Sequence, residues 1–398
     1  MLSVQAFGDF VTAVLGRPLN QEQAACVDGA ADTPVLIIAG PGTGKTTVMV
    51  LRALRHLLVD GISPERILIT TFTKKAAQEV RTRWLDWGLP LIEAARQHPD
   101  MQSLADQAWL STVDLNHCLT GTLDSICEEM LGEYRPVGTV TPILVEGFPA
   151  NQMLLRAGLS ANYYAQKDSL DGYLASYTFE GDAPRTLADM VKTARPILDR
   201  FVHDRIDLIR YRQSAEHGAA KETLAASFDA YCADLGQRSQ LDFALLERTF
   251  LEWIIQGRLD PVVLGLQAIL VDEYQDTNPL QEAIYFELTR RSGAALSVVG
   301  DDDQSLYRFR GATVELFTNF VGRLQAATGL CARTEYLTRN YRSTPEIIAF
   351  FNGFVGSDAA FTGARIIPPK PPITAHSSGS ISACHGVMLE SPRHFISI

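Results

Sequence analysis

The chain has no apolar run approaching the roughly 18 residues that a membrane-spanning helix requires. Its partly apolar start, MLSVQAFGDFVTAVLG, lacks a basic leader and carries Asp9. These absences argue against a membrane span and a secretory signal peptide. The stretch reads instead as the first turns of an amphipathic helix. None of the six cysteines (Cys26, Cys118, Cys127, Cys232, Cys331 and Cys384) forms a CxxC pair or stands at zinc spacing from a histidine. Buried thiols in a reducing, cytoplasmic setting are expected. A basic surplus is also missing: the formal net charge is −11. That excludes a uniformly basic coat but not a local nucleic-acid groove, because net charge says nothing about where charges sit. Internal repeats are absent, and residues from about 150 to 247 lack β-rich runs.

What is present fits an ordinary globular protein, with 46% hydrophobic and 20% charged residues in 398. That length suggests two or three domains at about 150 residues each. TPVLIIAG is a short apolar run ending in glycine, as in a buried parallel strand. TTVMVLRALRHLLVDG has helical spacing and is expected to stop at Gly61. RILITTFT is a second strand, and KKAAQEVRTRWLDWG a helix expected to end at Gly88. This rhythm implies a parallel sheet covered by helices. Residues 89 to 118 are polar and ambiguous. The α/β rhythm returns at LQAILVDEYQD and ALSVVGDDDQ. Residues 359 to 380, rich in Pro, Ser and Gly, have loop composition.

AGPGTGKTT, from Ala39 through Gly40, Pro41, Gly42, Thr43, Gly44, Lys45 and Thr46 to Thr47, lies between the first strand and the first long helix. That is P-loop context. The glycines let backbone N–H groups converge on phosphate at the positive end of a helix. Lys45 would reach the β- and γ-phosphates, and Thr46 would hold Mg²⁺. Ala39 stands where glycine is usual. A glycine turn that binds nothing is the alternative. ILVDEYQD ends an apolar strand in carboxylates, a Walker B pattern: Asp272 for Mg²⁺, Glu273 for the attacking water. VVGDDDQSLYRFRGA brings Gln304 to the same sheet edge, where ligands bind in parallel α/β sheets. Its acidic half repels nucleic acid, whereas Tyr307, Arg308, Phe309 and Arg310 attract it. Core packing is the alternative for Tyr307 and Phe309.

Together these segments resemble the UvrD/Rep-type superfamily 1 DNA helicases. The ordered series is LNQEQAACV (Q motif), AGPGTGKTT (I), TFTKKAAQEV (Ia), GTLDSIC (Ib), LDFALL before motif II, ILVDEYQDTNPLQ (II), VVGDDDQSLYRFRGA (III) and LTRNYRST (IV). The resemblance implies RecA-like domains, with ATP in the cleft between them and single-stranded or tailed duplex DNA across their top. It assigns Gln23 and Tyr341 to adenine, Tyr341 by stacking, and Arg52 to a position near the base. Arg342 and Arg310 would reach the γ-phosphate, and Phe72, Tyr307 and Phe309 the DNA bases. The implied organisation is a RecA-like domain over 1–130 and 248–325, a mostly helical insert at 131–247, and an incomplete second RecA-like domain at 326–398.

Departures are specific. Asp124 replaces the usual histidine of motif Ib, and Lys74 the usual asparagine of motif Ia. No motif V or VI follows residue 344. The expected function is an ATP-dependent DNA helicase or translocase acting in repair or recombination, impaired as an isolated chain. That chain would bind Mg-ATP weakly, hydrolyse it slowly and unwind nothing without a protein partner. The alternative is a non-motor, ATP-dependent module that grips DNA or a partner; a small-molecule kinase is disfavoured by motifs Ia, III and IV.

Overall fold

The computed structural model describes residues 1–29, 32–163, 166–178, 181–304, 314–357, 365 and 370–376. Its centre is a six-stranded parallel sheet. The strands are β1 (Val35–Ala39), β2 (Ile67–Thr71), β3 (Leu119–Thr122), β4 (Ala268–Val271), β5 (Ala295–Gly300) and β6 (Arg333–Leu337), in spatial order β3-β2-β4-β5-β1-β6. β1 sits between β5 and β6, with Ile38 opposite Gly300 and Ala39 opposite Leu337. All six strands therefore end on one edge.

The continuous apolar runs are explained by burial on both faces. Leu36 and Ile38 pack into one core, and Val35, Ile37 and Ala39 into the other. The first core extends without a break into the helical insert through Leu170, Met190 and Leu224. The second is covered by α1 (Val4–Leu15), α2 (Gln21–Val27), α3 (Lys45–Leu58) and α4 (Lys74–Gln97). α1 is the expected N-terminal amphipathic helix, capped by Ser3. α2 starts with a reciprocal capping box between Asn20 and Gln23.

Two boundaries differ from expectation. α4 runs past Gly88 to Gln97 with Pro90 inside it. Gly88 is buried, and a Cβ there would lie 2.7 Å from Leu115 Cδ1 and 3.1 Å from Leu54 Cδ2. The glycine serves close packing rather than a helix stop. Near the two ends of the stretch 131–247, a two-stranded parallel ladder pairs Ile143 with Gln240 and Leu144 with Leu241. The helices on either side, α5 (Leu123–Glu133) and α6 (Phe243–Ile255), pack on each other and join the main core. Finally, β6 belongs to the first sheet, so the chain leaves it after Leu337 rather than at 326. Beyond it, β7 (Arg339–Asn340) pairs in parallel with β8 (Thr374–Ala375) inside the stretch expected to be loop.

Three of the six cysteines, Cys26, Cys118 and Cys127, are buried free thiols; Cys232 is half-buried and Cys331 exposed. Burial pushes Cys26 and Cys118 up to about 12. No helix among the described residues is long and apolar enough to cross a membrane.

A candidate nucleotide and DNA site at the strand ends

The loop after β1 shows why its glycines are needed where they fall. Gly42 (φ +67°) and Gly44 (φ +94°) adopt left-handed backbone that a side chain resists. Ala39 closes β1 as an ordinary, fully buried strand residue. No glycine is required there, which accounts for the variant first position. The Thr43 hydroxyl donates to Gly40 O at 2.8 Å and fastens the loop internally. α3 then begins at Lys45.

β4 delivers the acidic partners. The Thr46 hydroxyl donates to Asp272 Oδ2 at 3.2 Å, and Lys45 Nζ lies 3.3 Å from Glu273 Oε2. Gln275 Nε2 donates to the same Glu273 oxygen at 2.8 Å. Glu273 sits at φ 52°, ψ 43°. Such strain in a residue with a Cβ costs of order 1–3 kcal/mol and gathers at functional sites. Asp272 is buried, and burial together with the Glu273 charge pushes its carboxyl up to about 6. A buried carboxylate beside a threonine hydroxyl is a set of oxygen donors that suits a hard divalent cation.

After β5, Gln304 donates its side-chain amide to Asp301. β7 closes the other wall: Tyr341 N donates to Gly42 O at 2.9 Å, and Asn340 Nδ2 donates to Pro41 O at 2.5 Å. Asn340 Oδ1 accepts from Arg342 N and Ser343 N, at 2.8 and 2.7 Å. Arg342 is exposed on this wall and makes no ion pair among the described residues. Gln23, buried, donates to Thr43 O at 3.4 Å, and Asn20 Nδ2 donates to the Tyr341 hydroxyl at 2.8 Å. The Arg17 guanidinium lies 4.4 Å from the Tyr341 ring centre. The chain thus brings Gln23, the P-loop, Asp272, Glu273, Gln304, Tyr341 and Arg342 to one edge.

Arg52 is not among them. It is fully buried and donates to Ser297 Oγ (2.9 Å), Cys26 O (3.2 Å) and Thr33 O (3.4 Å). Its guanidinium ties the end of α2 to β5, so the expected contact near the base is replaced by an internal brace. Burial brings its pKa down to about 10. Tyr307, Phe309 and Arg310 lie outside the described residues.

Phe72, just past β2, lines a cavity of about 480 Å³ with Thr71, Asp124, Glu247, Asp272 and Glu273. Asp124 and Glu247 form an acidic pair in its lining. Burial first, then the Asp124 charge, push the Glu247 carboxyl well above its usual range, and Gln281 Nε2 donates to it at 2.6 Å. Asp124 stands out in the sequence as a departure from motif Ib, whereas Glu247 shows only as a helix residue within LDFALLE. Asn20 and Asn340 fall within LNQEQAACV and LTRNYRST, where neither carries a separate signal.

The family model described as the UvrD/REP helicase N-terminal domain matches residues 19–325. The ATP-dependent DNA helicase PcrA of Leuconostoc citreum is 30% identical over 345 residues, covering 86% of this chain and 39% of that protein. The ATP-dependent DNA helicase UvrD1 of Mycobacterium tuberculosis (strain ATCC 25618 / H37Rv) is 29% identical over 372 residues, 87% of this chain and 40% of that one. For the ATP-dependent DNA helicase SRS2 of Saccharomyces cerevisiae the identity is 28% over 343 residues, 83% and 26% respectively. The chain therefore spans about two fifths of the first two of these relatives and about a quarter of the third. With the P-loop, the acidic strand end and the Tyr341 wall on one edge of a parallel sheet, and with a family match over most of its length, the chain belongs to the UvrD/REP helicase N-terminal domain family.

Proposed function

We propose that this chain binds Mg-ATP at the strand ends and couples its hydrolysis to a grip on single-stranded DNA, as part of a helicase or translocase acting in DNA repair or recombination. The observation that carries the reading is the convergence of Lys45, Thr46, Asp272 and Glu273, through contacts of 3.2 and 3.3 Å. Lys45 would hold the β- and γ-phosphates, and Glu273 would orient the attacking water and accept its proton. Gln304 and Arg342 would meet the γ-phosphate, while Gln23 and Tyr341 would hold adenine. Thr46 and Asp272 would hold Mg²⁺, which supplies positive charge to the phosphate oxygens when bound. Phe72, with Tyr307 and Phe309, would stack on bases, a sequence-tolerant contact. A tailed duplex is the natural substrate form, and the cytoplasm the natural setting.

Equilibrium binding of a fluorescent ATP analogue tests the nucleotide reading. Binding should depend on Mg²⁺ in the parent and lose that dependence in Thr46→Ala. Equal Mg²⁺ dependence in both would contradict the assignment. The pH dependence has a definite sign. Asp272 is raised from 3.8 to about 6. Mg²⁺ needs the ionised form, so Mg²⁺-dependent affinity should fall as pH drops through about 6 and level off above it. Without Mg²⁺, the stability that Asp272 contributes is present below its ordinary value and lost as pH rises through about 6. Thermal melts with and without Mg²⁺ between pH 5 and 8 check both halves; a flat Mg²⁺ effect across that range would count against Asp272 as a ligand.

For DNA, Phe72→Ala should weaken binding to a labelled homopolymer strand by roughly 1–3 kcal/mol. Nucleotide affinity should stay unchanged. Fluorescence anisotropy reads the first and analogue titration the second; undiminished DNA affinity would leave Phe72 as a wall of the cavity and nothing more.

A further inference from the structure

The end of β5 has an electrostatic problem that the nucleotide motifs do not solve. Carboxylate oxygens of Asp301, Asp302 and Asp303 lie within 4.8 Å of one another, and the three side chains have no solvent exposure. Like charges this close in a dry site cannot all remain ionised unless a cation neutralises them. That cation comes from far along the chain. Lys370, 4% exposed, pairs with Asp301, with Asp302 at 3.0 Å and with Asp303 at 2.8 Å. Burial works against its charge, but the carboxylates outweigh burial and hold the ammonium above the usual lysine range. Arg365 adds a two-pronged contact to Asp303, at 2.8 Å from each nitrogen.

Lys370 also opens a strap, 370–376, that touches the rest of the nucleotide edge. Ile373 closes on Gly40 so tightly that a Cβ there would lie 2.3 Å from its Cδ1. Thr374 N donates to Thr338 O at 2.9 Å and His376 N to Asn340 O at 2.8 Å. The His376 ring centre is 4.6 Å from that of Tyr341. At the other end, the Asp301 carboxylate accepts the Gln304 side-chain amide and, at 3.1 Å, the Asp303 N–H. The placement of Gln304 therefore hangs on Asp301, and Asp301 on Lys370.

We infer that Lys370 is a positioning residue for ATP turnover: it fixes Asp301, Asp301 fixes Gln304, and the strap ties that arrangement to the docked Tyr341 wall. This rests on the nucleotide reading proposed above. Lys370 touches no reacting atom and acts only through Asp301.

Single-turnover hydrolysis, with the 398-residue chain in excess over labelled ATP, separates the limiting rate from the half-saturating concentration. Lys370→Met should lower the limiting rate by about 100-fold, the scale of a misplaced catalytic group. Half-saturation should move by no more than about twofold, because ground-state binding is untouched. Lys370→Arg should restore most of the rate. In a Gln304→Ala background, Lys370→Met should cost nothing further, since the contact it serves is already gone. Any general loss of stability in Lys370→Met would appear in both backgrounds, so the comparison still decides. An unchanged rate, a matching rise in half-saturation, or additive losses in the double variant would overturn the positioning role. Parent turnover that persists in Lys45→Ala would overturn the nucleotide reading itself, and the inference with it.

Discussion

Lys45→Ala is expected to remove ATP turnover by at least about 100-fold, the scale of losing one preorganised charge at a transition state, while the fold survives. Lys45 stands at the start of α3, and its only ion pair among the described residues is with Glu273 at 3.3 Å. Its side chain is 12% exposed and that of Glu273 34%, so the carboxylate left behind still reaches water. The cost to stability should therefore be small. Phosphate release measures the first effect and a thermal melt the second. Turnover at the parent rate would place the phosphates elsewhere; a large drop in melting temperature would make Lys45 a structural residue first.

Glu273→Gln should separate binding from chemistry. The substitution keeps the shape and removes the proton acceptor, a change worth about 10²–10⁴-fold in a general-base step. Affinity for Mg-ATP should hold or rise, because the negative charge beside Lys45 and Asp272 is gone. The same loss should lower the Asp272 carboxyl from about 6, since the Glu273 charge is one cause of its elevation. Parent-rate hydrolysis in this variant would assign the base to another group.

The β1–P-loop–α3 unit was legible because glycine and lysine at fixed spacing have few other uses between a strand and a helix. The strand that delivers the acidic pair was legible for a similar reason: an apolar run ending in Asp272 and Glu273. Gly88 misled because a helical glycine signals a stop locally, whereas its reason here is the approach of Leu115 and Leu54 from elsewhere in the chain. Arg52 misled because a motif position does not say which way a side chain turns. Its partners, Ser297 and the carbonyls of Cys26 and Thr33, are assembled only by the fold. The strap was illegible for both reasons. Its composition is that of a loop, and its pairing depends on Asn340 and Gly40 being brought alongside. The acidic half of VVGDDDQSLYRFRGA was expected on the nucleotide and magnesium side. Among the described residues the cations paired with it include Lys370 and Arg365, and Lys370 is separated from Asp301 by 69 positions.

Coupling between nucleotide and DNA is tested most directly by one measurement. Phosphate release from Mg-ATP is followed with and without an oligothymidylate strand, alongside anisotropy of the same labelled strand. The strand should bind and accelerate hydrolysis, and Lys45→Ala should abolish the acceleration while leaving strand binding in place. Strand binding with no change in the rate of hydrolysis would contradict that coupling, and would make the chain an ATP-dependent binding module instead.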